Sequence, residues 1–203
     1  MNRLSNRFEW LPTECAPKKY PMKIVQGDLI FENGRAAYIP SGKILDNGWG
    51  KQGSIHIVGD SFKPVPVKME IVWFSYTENK FYGGSFDLPH KKMFELFHEG
   101  FFMPSTGQKT TYSTIMVGVA PRGEISVWLG MGIVVEVASF QAEEIDFDWK
   151  RVLNNPDVSR EEYIQEILKN RLNEKELAIL EKEGPPKGQW KNIYRKNMTG
   201  NRK

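Results

Sequence analysis

The strongest constraint on this chain is a pair of alternating segments joined by a short turn. Ile115, Val117 and Val119 share one parity in residues 114–119, and Ile125, Val127 and Leu129 do the same in residues 124–129. A period of two puts each set on one face of a strand. Between them stands Ala120-Pro121-Arg122-Gly123. Pro121 pre-sets φ for the first turn position, and Gly123 suits the left-handed position of a bulged type I turn. The pattern predicts an antiparallel hairpin. Gly130-Met131-Gly132 turns the chain again, and residues 133–140 extend the meander by one strand.

The same period recurs upstream. Val67, Met69, Ile71 and Trp73 alternate with Lys68, Glu70 and Val72, and residues 81–86 resume as a partner after the polar stretch 76–80. Shorter strands are expected over 22–31, 36–39 and 54–58. Trp73 follows the inward parity of its strand, whereas Trp128 is out of phase with Val127 and Leu129 and faces a second layer. One helix interrupts the sheet: Pro89 suits its first position, Gly100 its stop, and Met93, Phe94, Leu96 and Phe97 crowd one side. Near the end, Ser159 and Glu162 form a capping-box pattern, Asn173 caps a second helix, and Gly184-Pro185-Pro186 ends it.

These patterns predict an α+β fold: a mainly antiparallel β-sheet core with one inserted helix and a C-terminal helical extension. The core is expected over residues 1–145, the extension over 146–184 and a flexible basic tail over 185–203. Residues 151–203 hold 12 basic and 8 acidic groups, leaving 16 basic and 17 acidic before them. Trp190 and Tyr194 are interleaved with Lys187, Lys191, Arg195 and Lys196, so a nucleic-acid-associated module working through the tail is one reading. Otherwise the tail is expected to add little to folding, and its deletion to shift the melting temperature by a few degrees.

Composition bounds the function. A chain of 203 residues suits one domain, or one with a small appendage, and needs no disulfide or metal to fold. Its formal charge of +3 does not by itself imply a nucleic-acid partner. No apolar run approaches the roughly 20 residues that cross a bilayer. The single cysteine, Cys15, excludes an internal disulfide framework and a multi-cysteine zinc site. It is expected in a loop or at an edge, without chemistry. The first seven residues hold basic groups with no apolar core behind them, and no apolar segment precedes Cys15. As written, the chain is expected in the cytoplasm. The alternative is a periplasmic or outer-membrane lipoprotein from which a signal segment has been trimmed.

Catalytic motifs are sparse. Gly83-Gly84-Ser85-Phe86 lacks the Gly-x-Ser-x-Gly elbow, and Gly48-Trp49-Gly50-Lys51 and Ser41-Gly42-Lys43 lack P-loop spacing. His56, His90 and His98 form no metal-ligand spacing, although Glu95 and His98 can share a helical face. Glu78, Asp87, Glu95, Glu136, Glu143 and Glu144 leave room for a carbohydrate-active or other hydrolase with a carboxylate site. No cofactor and no metal is expected. The leading expectation is a non-enzymatic protein that binds another protein. Trp49, in the Asn47-Gly48-Trp49-Gly50 turn, and Arg122, at the hairpin tip, are its candidate anchors.

Several short elements occur together and in order: Ala16-Pro17 with Tyr20-Pro21, Asn47-Gly48-Trp49-Gly50, Ile71-Val72-Trp73-Phe74-Ser75-Tyr76-Thr77-Glu78, Lys80-Phe81-Tyr82 and Leu88-Pro89. They continue with Val117-Gly118-Val119-Ala120-Pro121-Arg122-Gly123 and Val127-Trp128-Leu129. In these, across about residues 10–142, the chain resembles the bacterial domain-of-unknown-function family 2931. The resemblance implies a small envelope protein, often with a lipoprotein signal, and no catalytic residue set. Some members lie near genes for type VI secretion phospholipase effectors, which implies an immunity protein that neutralises a secreted toxin. The resemblance says nothing of the helical and basic C-terminal extension.

Overall fold

A computed structural model describes residues 6–55, 59–152, 157–188 and 190. The first half holds β1 (Arg7–Glu9), β2 (Leu11–Cys15), β3 (Met22–Ile30), β4 (Ala36–Tyr38), β5 (Ile44–Leu45), β6 (Phe62–Pro64), β7 (Lys68–Ser75) and β8 (Lys80–Asp87). Then come α1 (His90–Glu99), β9 (Phe101–Phe102), β10 (Lys109–Thr110), β11 (Thr114–Val119), β12 (Glu124–Met131), β13 (Ile133–Gln141), β14 (Glu143–Ile145), α2 (Arg160–Arg171) and α3 (Glu174–Glu183). The fold is α+β and mostly antiparallel, as the alternation predicts.

The larger sheet runs β14-β8-β7-β3-β4, with β5 also on β3, and the smaller runs β13-β12-β11-β2. One pairing departs from the expected meander: β2 lies parallel to β11, with Thr114 opposite Leu11 and Gly118 opposite Cys15. Cys15 therefore sits in a buried strand instead of a loop. Pro12 hides this strand from pattern reading, yet it is harmless at a sheet edge, where its missing N–H leaves no ladder bond unmade.

Period-two alternation sorts the side chains into layers. Met69, Ile71 and Trp73 of β7 meet Ile115, Val117, Ile125 and Val127 of the other sheet in the main core. The opposite parity of the larger sheet, Phe74, Tyr76 and Phe81, is covered by Ile164, Leu168 and Leu172 from the α2 region. The outer face of the smaller sheet, Met116, Ala120 and Trp128, is covered by Trp49 and Trp190. A neighbouring layer is thus what Trp128 faces. Helix α1 sends Met93 and Phe97 into the main core, and Gly100 closes it at φ +64.

Both C-terminal helices start as their sequences predict. Ser159 with Glu162, and Asn173 with Glu176, form reciprocal capping boxes, and Gly184 ends α3 at φ +65. The helices are clamped onto the sheet side chain by side chain. Arg160 lies over the Trp149 ring at 4.9 Å, and Arg171 pairs with Asp46 at 3.0 Å.

Two expectations are corrected here. The strand expected over 54–58 is not formed at Ser54 and Ile55; residues 56–58, with His56, lie outside the described residues. The reason lies in the side chains of β2. Thr13 Oγ1 takes the Gly53 N–H and Glu14 Oε1 takes the Ser54 N–H, so these donors do not join a ladder. The second correction concerns the tail. Trp190 is only 2% exposed, and its ring meets Tyr20 edge-on at 5.0 Å. Covering apolar rings outweighs the ordering of a short segment, so the start of the tail is packed and not loose. Tyr194 and the later basic residues lie outside the described residues.

Candidate functional site

Of the two anchors expected from the sequence, Trp49 is buried and Arg122 is half-buried. Trp49 is 6% exposed and stands edge-on to Trp128 at 5.0 Å. Its turn is tied to the end of β2: Asn47 Oδ1 accepts the Ala16 N–H at 3.2 Å, and the Gly48 N–H donates to the Ala16 carbonyl at 2.9 Å. Arg122 sits at the hairpin tip with φ +62, where a type I turn would keep it negative. The cause is local: both Glu78 carboxylate oxygens accept its backbone N–H, at 3.2 and 2.9 Å. Its guanidinium donates twice to the Pro185 carbonyl, at 3.1 Å each. Arg122 thus holds Pro185, and Trp49 packs against Trp190, both in the chain's own C-terminal segment.

The candidate carboxylates have similar internal duties. Glu78 also accepts the Tyr82 hydroxyl, whose ionisation is pushed up by burial and by the Glu78 charge. Glu144 pairs with Lys80, and Glu136 accepts the Ser126 hydroxyl. The His98 ring stacks on Phe94, and the His90 ring nitrogen lies 3.4 Å from the Pro66 carbonyl. Among the described residues no three His, Cys, Asp or Glu side chains gather as a metal set.

A different place is open. A cleft of about 280 Å³ lies between the β4 edge and the short β1–β6 ribbon. Pro12, Phe31, Ile39 and Pro64 supply apolar walls, and Arg7, Arg35 and Lys63 supply cations against one carboxylate, Asp60. Tyr38 stands at the cleft and is 71% exposed; Phe62, on the ribbon, is 55% exposed. Strand pairing of β1 with β6 sets the far wall, with Arg7 opposite Pro64 and Phe8 opposite Lys63. Arg7 bonds Asp60 and the Phe62 carbonyl, which fixes its direction. Lys63 is 7% exposed; its ammonium donates to the Trp10 carbonyl at 3.2 Å and lies 5.6 Å from the Trp10 ring centroid. Burial pulls its pKa below the usual lysine value. The Arg35 backbone is held in the Phe31–Arg35 turn, while no hydrogen bond or ion pair engages its guanidinium among the described residues.

Sequence reasoning missed this cleft because Arg7, Arg35 and Lys63 form no local motif; only the β1–β6 pairing and the β4 turn bring them together. One signal was available. The expected strand over 36–39 leaves Tyr38 on the outward parity, a large aromatic that the alternation places at the surface.

Two facing sheets, a helical layer and an amphipathic surface cleft define a small α+β protein. The chain belongs to the family described as protein of unknown function DUF2931, whose model matches residues 1–188. The match runs past the resembling motifs, through both C-terminal helices to the docked segment, so the helices lie within the family region. No curated protein and no solved structure matches the chain. Among the described residues no helix is long and apolar enough to cross a membrane.

Proposed function

We propose that the protein acts by binding another protein and not by turnover, as an immunity protein that neutralises a type VI secretion effector. The observation that carries the binding reading is the cleft at Tyr38: apolar walls, the exposed Tyr38 ring, and Arg35, whose guanidinium is unengaged among the described residues. Aromatics and arginines are the residues that anchor protein interfaces, and a stable one buries on the order of 1,600 Å². Neutralisation by occlusion requires a rigid scaffold and such a surface, with no catalytic group. The immunity role and its type VI context come from the family resemblance. In this reading the protein works in the compartment its effector reaches, the cytoplasm for the chain as written or the envelope.

The test is co-purification with the product of an adjacent effector-like gene, together with rescue of cells from that product. Wild type should bind and rescue. Tyr38→Ala with Arg35→Glu should lose both while keeping its melting temperature. Hydrolysis by the purified protein, abolished by one carboxylate change without unfolding, would overturn the binding reading. Failure of wild type to bind or rescue would overturn the immunity role.

A further inference from the structure

Strand β4 is the outermost strand of the larger sheet, and its pairing shows which backbone groups are used. The Ile39 N–H donates to the Gly27 carbonyl at 2.9 Å, and the Phe31 N–H donates to the Arg35 carbonyl at 2.8 Å. With Ala37 opposite Leu29, the residues facing β3 are Arg35, Ala37 and Ile39. Antiparallel ladders alternate, so the N–H and C=O groups of Ala36 and Tyr38 point away from the sheet. Both residues are exposed.

At both edges of the smaller sheet, backbone groups are engaged from outside it. Lys92 reaches the Glu136 and Val137 carbonyls of β13, and the 47–54 loop bonds β2 through Asn47, Gly53 and Ser54. Edges left open are usually blunted by charge, proline or a bulge. The β4 edge, three residues long and flanked by Arg35 and Pro40, opens onto the apolar cleft. That cleft is lined by β4 residues of both parities, Ala36, Ala37 and Tyr38, so it runs along the strand's edge and not over one face.

Charge selects the occupant. Arg35 borders the cleft and also the shallow depression on the other side of β4. Among the described residues lining the cleft, Arg7, Arg35 and Lys63 stand with one carboxylate, Asp60, which Arg7 already bonds. The depression holds Asp28, opposite Tyr38 in the ladder, which turns acidic groups toward the cleft side.

We infer that the β4 edge is a strand-acceptor site: an extended acidic segment of a partner protein pairs with the outward backbone of Ala36 and Tyr38, sets a carboxylate on Arg35 and lays an apolar side chain in the cleft. Main-chain bonds supply affinity and alternate side chains supply specificity, as in other strand additions. The inference rests on the protein-binding reading and adds its chemistry.

The test is selection of a displayed library of random 12-residue peptides on the full chain, followed by titration of the synthesised consensus peptide. The expected consensus alternates acidic with β-branched or aromatic residues. Its affinity should fall at least tenfold with Arg35→Glu. Tyr38→Pro should cost a similar factor, because it removes an outward N–H that no ladder bond uses. The melting temperature should hold in both. A basic consensus, no consensus, or binding within twofold of wild type in Tyr38→Pro would overturn the proposal. So would a dimer of the free protein that Tyr38→Pro dissolves, which would make a second copy the occupant. If an effector binds Tyr38→Pro as well as wild type, the strand-acceptor site fails and the binding function stands. If no effector binds but the peptide result holds, the immunity role fails and the site stands.

Discussion

The carboxylate of Glu78 receives the backbone N–H of Arg122 on both oxygens, at 3.2 and 2.9 Å, and the Tyr82 hydroxyl on one of them at 3.1 Å. It pins a hairpin tip that contains a left-handed non-glycine residue, a conformation costing roughly 1–2 kcal/mol. Bonds to a charged acceptor are worth about 1.5–3 kcal/mol. Glu78→Ala should therefore lower stability by about 2–3 kcal/mol, read as a lower urea midpoint at unchanged slope. Tyr82→Phe should cost less, since Arg122 keeps its acceptor.

The docked tail gives the second prediction. Trp190 closes the layer over Trp49 and Tyr20, and removing a buried tryptophan side chain costs about 3–5 kcal/mol. Trp190→Ala should lower the melting temperature by on the order of 10 °C, at roughly 2–4 °C per kcal/mol for a domain of this size. Truncation after Gly184 should do at least as much and shift tryptophan emission to the red as Trp49 meets water. A shift of only a few degrees would restore the tail expected from the sequence.

What the sequence made legible follows from range. The 114–119 and 124–129 strands, the Ser159 and Asn173 caps and the Gly184 stop depend on neighbours a few residues away, and each stands where its pattern puts it. The parallel β2–β11 pair joins segments about a hundred residues apart, and Pro12 removes the local strand signal. Trp49 in a glycine-rich turn and Arg122 at a hairpin tip read as exposed, since local pattern says nothing of a tail that folds back over both. The open cleft is illegible for the same reason: its cations come from three separate elements.

Cys15 supplies a prediction with a pH sign. Burial pushes its thiol from 9.0 up to about 12, against partial relief from the Gly50 and Lys51 N–H groups. A protonated, buried thiol is inert, so the native protein should not react with a disulfide reagent at pH 8, and should react once unfolded. Above pH 9 the unfolded chain gives up this proton first. Stability should then fall as pH rises from about 9 toward 12, by about 1.4 kcal/mol per pH unit from this group. Burial raises the Tyr76 and Tyr82 phenols as well, which steepens the fall above pH 10. Cys15→Ala should delay the onset to the tyrosine range in urea titrations across pH 7.5–11.

Gly118 lies inside β11, where a glycine weakens a strand unless something needs the space. Two indoles need it. A Cβ built there would stand 2.6 Å from the Trp128 ring and 2.8 Å from the Trp49 ring. Both rings pass directly over the backbone, and that close approach lets the 47–50 turn seat on the smaller sheet. Trp49 packs edge-on against Trp128 and tilted against Trp190, which limits how far its ring can withdraw. Gly118→Ala should cost about 1–3 kcal/mol, the usual range for overpacking. The ring edges nearest the new methyl group belong to the six-membered half of each indole. Trp128→Phe opens space there, so the double variant Gly118→Ala with Trp128→Phe should lose less stability than the two single losses added together. Additive losses by urea denaturation would show that the rings do not impose the glycine.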